Sequence, residues 1–489
     1  MASCPRKICL LVLILLLYLL LNIFGLIYHE PWRDEAQSWL VAREANLVKI
    51  FAISHYEAAP VTWHLLLAPF AKSGLPYITQ SILNLAIAFF AITIFLVFSP
   101  FSLSTKILFI FSYYLAFEYS VIGRHYALSI LLIFLIAAFY PKRFKHALIY
   151  AFLVFLLFNI NVFSFSFAAS LCFIFAWELF RKKIPYPINS KSSLMGLCIM
   201  VAGGCLAILQ VYPYGDSIYS LFSNVYSSFF LAAPLISIKN ALFPFGDNRS
   251  GFIILALACM TILIFPLFKS PQGLSVILIS YAGLFMIFML HMRGELRYDG
   301  FLLIILMVAI WISSYYDAAE GKLSKKIQFM ILKSCLLLSV IYCIHVYSLE
   351  YRYYFSGAKE MATFIRQHNL DLHAVVAQNG PSSSALLPYL KDSKFWYAGQ
   401  KEYASYVYFT KHNFIANRIS VHEAVKEMKL AFPGRKDILL LLIAPLVGRE
   451  AEEFELVHRT NKKVFRIDDE VFYLYRYKNF PTSGNFIEN

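Results

Sequence analysis

Apolar residues run in long, nearly unbroken stretches over the first 350 positions and in short, mixed stretches after them. The long stretches hold roughly 17–25 residues each, enough for a helix to cross about 30 Å of hydrocarbon. They predict about eleven spans, at 8–28, 77–98, 106–122, 125–140, 146–160, 163–180, 194–212, 251–268, 273–291, 300–316 and 327–347. Ala147–Phe180 reads as two short spans broken at "NINVF" or as one long tilted helix. The basic clusters at Arg181–Lys183 and Lys322–Lys326 favour two.

Beyond the last run the pattern changes. "SGAKEMATFIRQH" predicts a helix capped by Ser356, and "VHEAVKEMKLAF" predicts another. "HAVVAQ", "DILLLLIA" and "EVFYLYRYK" are rich in strand formers. The expected fold is therefore an all-α polytopic membrane bundle over residues 1–347, followed by a small α/β domain over 348–489.

Composition agrees. Of 489 residues 60% are hydrophobic and 15% charged, against about a quarter charged in soluble proteins. The net charge of +14 does not form a nucleic-acid stripe. It falls in clusters between apolar runs, such as Arg6–Lys7 and Lys142–Lys145, as cytoplasmic loops require. With a cytoplasmic N-terminus, four segments then face outside: the loop 29–76, the turn at Arg124, the loop 213–250 and the turn "RGELRYDG". The C-terminal domain also faces outside. The first run is long and lacks an A-x-A cleavage pattern, so it reads as a retained span in the cell membrane. The eight cysteines all lie in or beside apolar runs with no CxxC pair, which gives no support to a disulfide framework or a zinc site.

Candidate chemistry gathers on the outer segments. Asp34 and Glu35 open the first loop, just after Pro31. Acidic residues there stabilise a helix dipole without any further role. The same position would also let a carboxylate meet a water-soluble hydroxyl and a lipid-borne phosphate at once. The rest of "DEAQSWLVAREANLVKIFAI", with Trp39, Leu40, Leu47, Ile50 and Phe51, predicts a helix lying in the membrane interface. "SHYEAAPVTWH" follows, carrying His55, Tyr56, Glu57 and His64. "EYSVIGRHYALSI" places Glu118, Tyr119, Arg124, His125 and Tyr126 at one junction, and "MRGELRYDGF" places Arg297 and Tyr298 at another. Each turn alone reads equally as a solvated turn with interfacial tyrosines and a snorkelling arginine. Arginine also offers a planar fork of donors suited to phosphate.

His55 and His64, nine residues apart, have no diagnostic ligand spacing. The sequence requires no cofactor, and a divalent metal held with Asp34 or Glu57 stays open. Asn248 sits in an N-x-S sequon, a frequent chance match. There is no Gly-rich phosphate loop and no GxSxG.

The first span followed by "RDEAQ" and then "HYEAAP…WHLLL", with "EYSVIGRHYAL" and "RGELRYDGF" later, resembles the GT-C fold integral-membrane glycosyltransferases. It is most similar to bacterial relatives of the protein O-mannosyltransferases and the lipid A aminoarabinose transferases. The resemblance implies a sugar donor carried on a polyprenyl phosphate in the bilayer and a glycan, lipid or protein acceptor. It implies Asp34 as general base with Glu35 assisting or orienting it, and Arg124 and Arg297 at the lipid phosphate. Ala59 stands where relatives often carry a histidine before the loop proline, which leaves a histidine or metal role open. A transporter or flippase of lipid-linked sugars is the alternative. Transporters tend to carry charges at the midplane and paired inverted repeats, whereas here the charges gather at the outer ends.

Overall fold

The structure is a computed structural model and describes residues 5–181, 190–220, 232–245, 249–290, 295–316, 322–390, 394–461, 463–466 and 469–478. Asn248 and Arg293 lie outside the described residues. The membrane part opens with α1 (Pro5–Tyr28), then α2 (Arg33–Glu44), α3 (Leu47–Glu57) and α4 (Thr62–Lys72). It continues with α5 (Ile78–Phe98), α6 (Leu103–Ile110), α7 (Tyr126–Phe139), α8 (Ala147–Phe158) and α9 (Val162–Arg181). It closes with α10 (Ser190–Val211), α11 (Ala232–Leu242), α12 (Ser250–Ile264), α13 (Pro271–Leu290), α14 (Leu296–Ser313) and α15 (Lys322–Arg352).

Among the described residues, eight helices are long and apolar enough to cross a membrane, and two more apolar helices are shorter. The run expected at 106–122 is not one continuous helix: α6 ends at Ile110, and a π turn, Tyr114–Glu118, follows it. Every residue of that turn is buried. Apolar composition cannot distinguish a segment wrapped in protein from one wrapped in lipid. The runs at 125–140 and 146–160 give α7 and α8, whose 14 and 12 residues reach only about 20 Å.

Ala147–Phe180 is two helices. Asn159 and Asn161 make the break, because Asn161 caps α9 by accepting from Ser164 N at 2.8 Å, while Asn159 donates to Phe155 O and Gly203 O. α14 is the bundle's centre, buried from Asp299 to Ser313. α1 exposes Leu13, Leu16, Leu17, Leu20 and Ile27 on its outer side, as a lipid-facing helix should.

The C-terminal part begins with α16 (Ala358–Gln367), whose cap is Gly357 rather than Ser356. Ser356 Oγ accepts from Ala358 N at 3.1 Å instead. Six strands form one sheet: β1 (Ala374–Ala377), β2 (Phe395–Tyr397), β3 (Glu402–Ala404), β4 (Ile438–Leu442), β5 (Phe454–Arg459) and β6 (Tyr473–Tyr477). Their order is β3-β2-β1-β4-β6-β5, with β1 parallel to β2 and β4 and the other pairs antiparallel. β4 reads ILLLL and is buried throughout, which suits a central strand covered on both faces. Leu439 and Leu441 join a cluster with Met361 of α16 and with Trp39 and Leu40 of α2. Ile438, Leu440 and Leu442 pack on Ala424, Val425 and Met428 of α17 (Val421–Ala431).

That packing corrects the interfacial-helix expectation. The stretch is broken at Ala45–Asn46, where Asn46 caps α3 by accepting from Lys49 N. α2 is buried from Glu35 to Ala42 under the C-terminal domain. Only α3 shows apolar side chains outward, at Leu47, Val48 and Phe51.

Candidate active site

The start of α2 places two adjacent carboxylates in opposite environments. A helix advances about 100° per residue, so Asp34 and Glu35 cannot share a face. Asp34 lines a cavity of about 140 Å³ together with Glu57, His64, Arg124, Arg297 and Tyr298. Arg297 Nη1 donates to Asp34 Oδ2 at 2.7 Å, and Arg124 Nη1 lies 3.6 Å from the same oxygen. Arg124 Nη1 also donates to the Asp34 main-chain carbonyl at 2.6 Å. Arg297 keeps a second partner in Glu295, at 2.6 Å. Burial works against the Asp34 charge, but Arg297, Arg124 and Arg33 outweigh it and hold the carboxyl below its usual range.

The two arginines are not used up by these contacts. Nε of Arg124 and Nε of Arg297 are both buried without a hydrogen-bond partner. A buried donor left unpaired costs about 1–3 kcal/mol, so the site carries unspent capacity for an anion. The Arg297 guanidinium lies over the Trp32 ring at 5.1 Å and the Tyr298 ring at 4.9 Å, which fixes its plane. Tyr119, itself outside the cavity, donates from its hydroxyl to Arg297 O at 2.9 Å.

Glu35 does not reach the cavity. It is fully buried and accepts from Trp32 N at 3.3 Å and from Gly123 N at 2.6 Å. Its other contact is His29, at 3.0 Å, whose second ring nitrogen meets Glu350 at 3.3 Å. Burial alone would lower the His29 pKa, but the two carboxylates push it up to about 10. Glu35 thereby ties the ends of α1 and α15 to the Gly123–Arg124 turn. It holds the main chain next to Arg124 and does not line the cavity.

The other expected residues divide in the same way. His125 and Tyr126 line the cavity beside Arg124. Burial, with help from Arg124, pushes the His125 pKa well down, so its imidazole adds no charge there. Glu57 accepts from Gln37 at 2.8 Å and stands 3.4 Å from His64. Burial lowers the His64 pKa as well. His55 and Tyr56 lie outside: His55 Nδ1 is 2.6 Å from Tyr212 O, and the Tyr56 hydroxyl meets Asp216 at 3.2 Å. His55 and His64 thus have different partners and only His64 lines the cavity. Among the described residues no three His, Cys, Asp or Glu side chains converge as a metal site.

Several lining residues escape sequence reasoning, among them Gln37, Asn161, Tyr219 and Phe409. Asn161 carried a signal, as a polar residue interrupting an apolar run. Tyr219 and Phe409 carried none, since only tertiary packing brings them to the site. Each of the segments expected on one side of the membrane contributes a wall: the loop after α1, the Arg124 turn, Tyr219, the start of α14, and Phe409 from the C-terminal domain.

No known family profile matches the chain, and no curated protein matches it. A solved structure does share the fold: ArnT from Cupriavidus metallidurans bound to undecaprenyl phosphate, with a TM-score of 0.55 and 10% identity over 98% of this chain and 99% of that one. At that identity the likeness speaks for architecture and not for individual residues. Over nearly its whole length, then, this chain has the polytopic GT-C-like fold that ArnT has.

Proposed function

We propose that the protein is a membrane glycosyltransferase that moves a sugar from a polyprenyl-phosphate-linked donor to an acceptor hydroxyl on the extracytoplasmic side, with Asp34 as general base. The observation that carries this reading is a carboxylate clamped by two arginines that still have buried, unpartnered donors. This cluster sits at the ends of long apolar helices that can hold a polyprenyl chain. A lipid phosphate is the anion that suits both features. The fold neighbour's bound undecaprenyl phosphate supports the same ligand class.

In the substrate-free protein Asp34 is a weak base, because its charge is spent on the arginines. When the donor phosphate takes those donors, Asp34 loses its counter-ions and its basicity rises. It then accepts the proton of the acceptor hydroxyl as that oxygen attacks the anomeric carbon. The bond from the anomeric carbon to the phosphate oxygen breaks, and its electron pair leaves with the lipid phosphate. Arg124 and Arg297 stabilise that charge as it develops. Attack from the face opposite the phosphate inverts the anomeric centre. Glu35 contributes by fixing the Arg124 turn, and no step requires a metal.

The test is mass spectrometry of glycans and lipid-linked sugars from cells with and without the protein. Loss of one glycan decoration with accumulation of its lipid-linked donor is expected. Identical pools in both strains would overturn the reading. A reporter active only outside the cytoplasm, fused to the C-terminus, should be active.

A further inference from the structure

A second cavity, of about 320 Å³, lies between the end of α2, the start of α3 and residues 394–413 of the C-terminal domain. We infer that it binds the saccharide part of the acceptor. This inference rests on the transferase reading and adds that the acceptor is a glycan.

The two cavities draw on the same two segments of chain. Residues 405–409 run alongside α2. Ser405 Oγ donates to Glu44 at one end. Two residues on, Val407 N donates to Gln37 Oε1 at 2.9 Å, and Gln37 Nε2 donates to Val407 O at 2.8 Å. Phe409 then lines the reaction cavity, as Gln37 does. Gln37 and Glu44 are seven residues apart on one helix, about 10 Å along its axis. The segment 405–409, fixed along α2, thus contributes to the walls of both cavities.

The lining chemistry selects the ligand class. Tyr403, Tyr406 and Tyr408 supply aromatic faces, and Gln400 and Asn413 supply amides. Two carboxylates, Glu44 and Glu402, balance two ammonium groups, Lys49 and Lys394. An anionic ligand would call for an excess of positive charge, as in the reaction cavity. A neutral polyhydroxylated ligand needs donors and acceptors in equal measure, with flat apolar faces for its C–H surfaces. The tyrosine rings continue outward from the cavity: Tyr406 to Tyr408 at 5.6 Å, Tyr408 to Tyr56 at 5.6 Å and Tyr56 to Tyr214 at 5.4 Å.

Tyrosines also gather at lipid headgroups, but α3 turns its apolar face away from this cavity. Its exposed apolar residues Leu47, Val48 and Phe51 share one face. Lys49 falls on the other side at 100° per residue and lines the cavity.

The experiment uses full-length protein in nanodiscs, with cellotetraose and chitotetraose as probes in saturation-transfer NMR. Saturation of sugar C–H protons is expected. Tyr403→Ala, a change at an exposed ring, should weaken binding about two- to ten-fold. Asp34→Asn should leave it in place. No saturation with either probe, or saturation indifferent to Tyr403→Ala, overturns the site. In parallel, Tyr403→Trp in nanodiscs of brominated lipid should show no quenching, and strong quenching would place the cavity among headgroups and overturn it too. If the site fails while the wild type still turns over its lipid donor, the transferase reading stands. A saccharide signal without donor turnover supports the site and removes that reading.

Discussion

Replacing Asp34 by Asn separates the two roles that the clamp gives this carboxylate. The change removes one negative charge and little else. Arg124 keeps the Asp34 main-chain carbonyl, 2.6 Å away, and Arg297 keeps Glu295, also at 2.6 Å. Folding and membrane insertion should therefore survive. Loss of a general base costs about 10²–10⁴-fold in turnover, equivalent to roughly 3–5 kcal/mol of barrier. The lipid phosphate should respond the opposite way. In the wild type it must displace a charge-assisted hydrogen bond from Arg297, worth about 1.5–3 kcal/mol. Without that competitor the phosphate should bind about ten-fold more tightly or better. The assays are single-turnover transfer from purified donor lipid and a titration with undecaprenyl phosphate, both in nanodiscs. Transfer within ten-fold of wild type would refute Asp34 as base. Phosphate affinity that falls with turnover would refute the competition between Asp34 and the lipid for the arginines.

Two further outcomes test the scaffold around this site. His29 is buried between Glu35 and Glu350, and its folded pKa of about 10 lies above its ordinary 6.5. The stability it contributes is thus complete below pH 6.5 and is lost as pH rises toward 10. Glu35→Gln should cost roughly 3 kcal/mol below pH 6.5 and flatten that alkaline slope, read as thermal unfolding in detergent against pH. An unchanged slope would show that the pair is not ionised. Gly300 allows a close approach: a Cβ there would sit 2.3 Å from the Tyr119 hydroxyl and 2.4 Å from the Tyr114 ring. Gly300→Ala should displace the tyrosine that holds Arg297, costing about 1–3 kcal/mol and weakening undecaprenyl phosphate binding, whereas wild-type affinity would show that Tyr119 does not position Arg297.

What the sequence determined by itself is what depends on local length and pattern. Apolar runs long enough for a bilayer, basic clusters between them, and β-forming segments such as "DILLLLIA" define a helical bundle with a small α/β domain. They also mark the turns where Asp34, Arg124 and Arg297 reside. Contact was decided only by the tertiary structure. Asp34 and Glu35 are equivalent as letters, and the helix turns one into the cavity and the other into a buried ion pair with His29. His55 and His64 look like a pair in sequence, yet α3 ends between them and sends them to different surroundings. The stretch 106–122 reads as one apolar run, but a π turn, with Tyr113 donating to Glu118 across it, interrupts its helix. Phe409 and Tyr219 reach the site from segments that lie far from Asp34 along the chain and close to it in space. Hydropathy measures what each residue costs in water. It does not say which residues pack together once that cost has been avoided, and a site is made of those contacts.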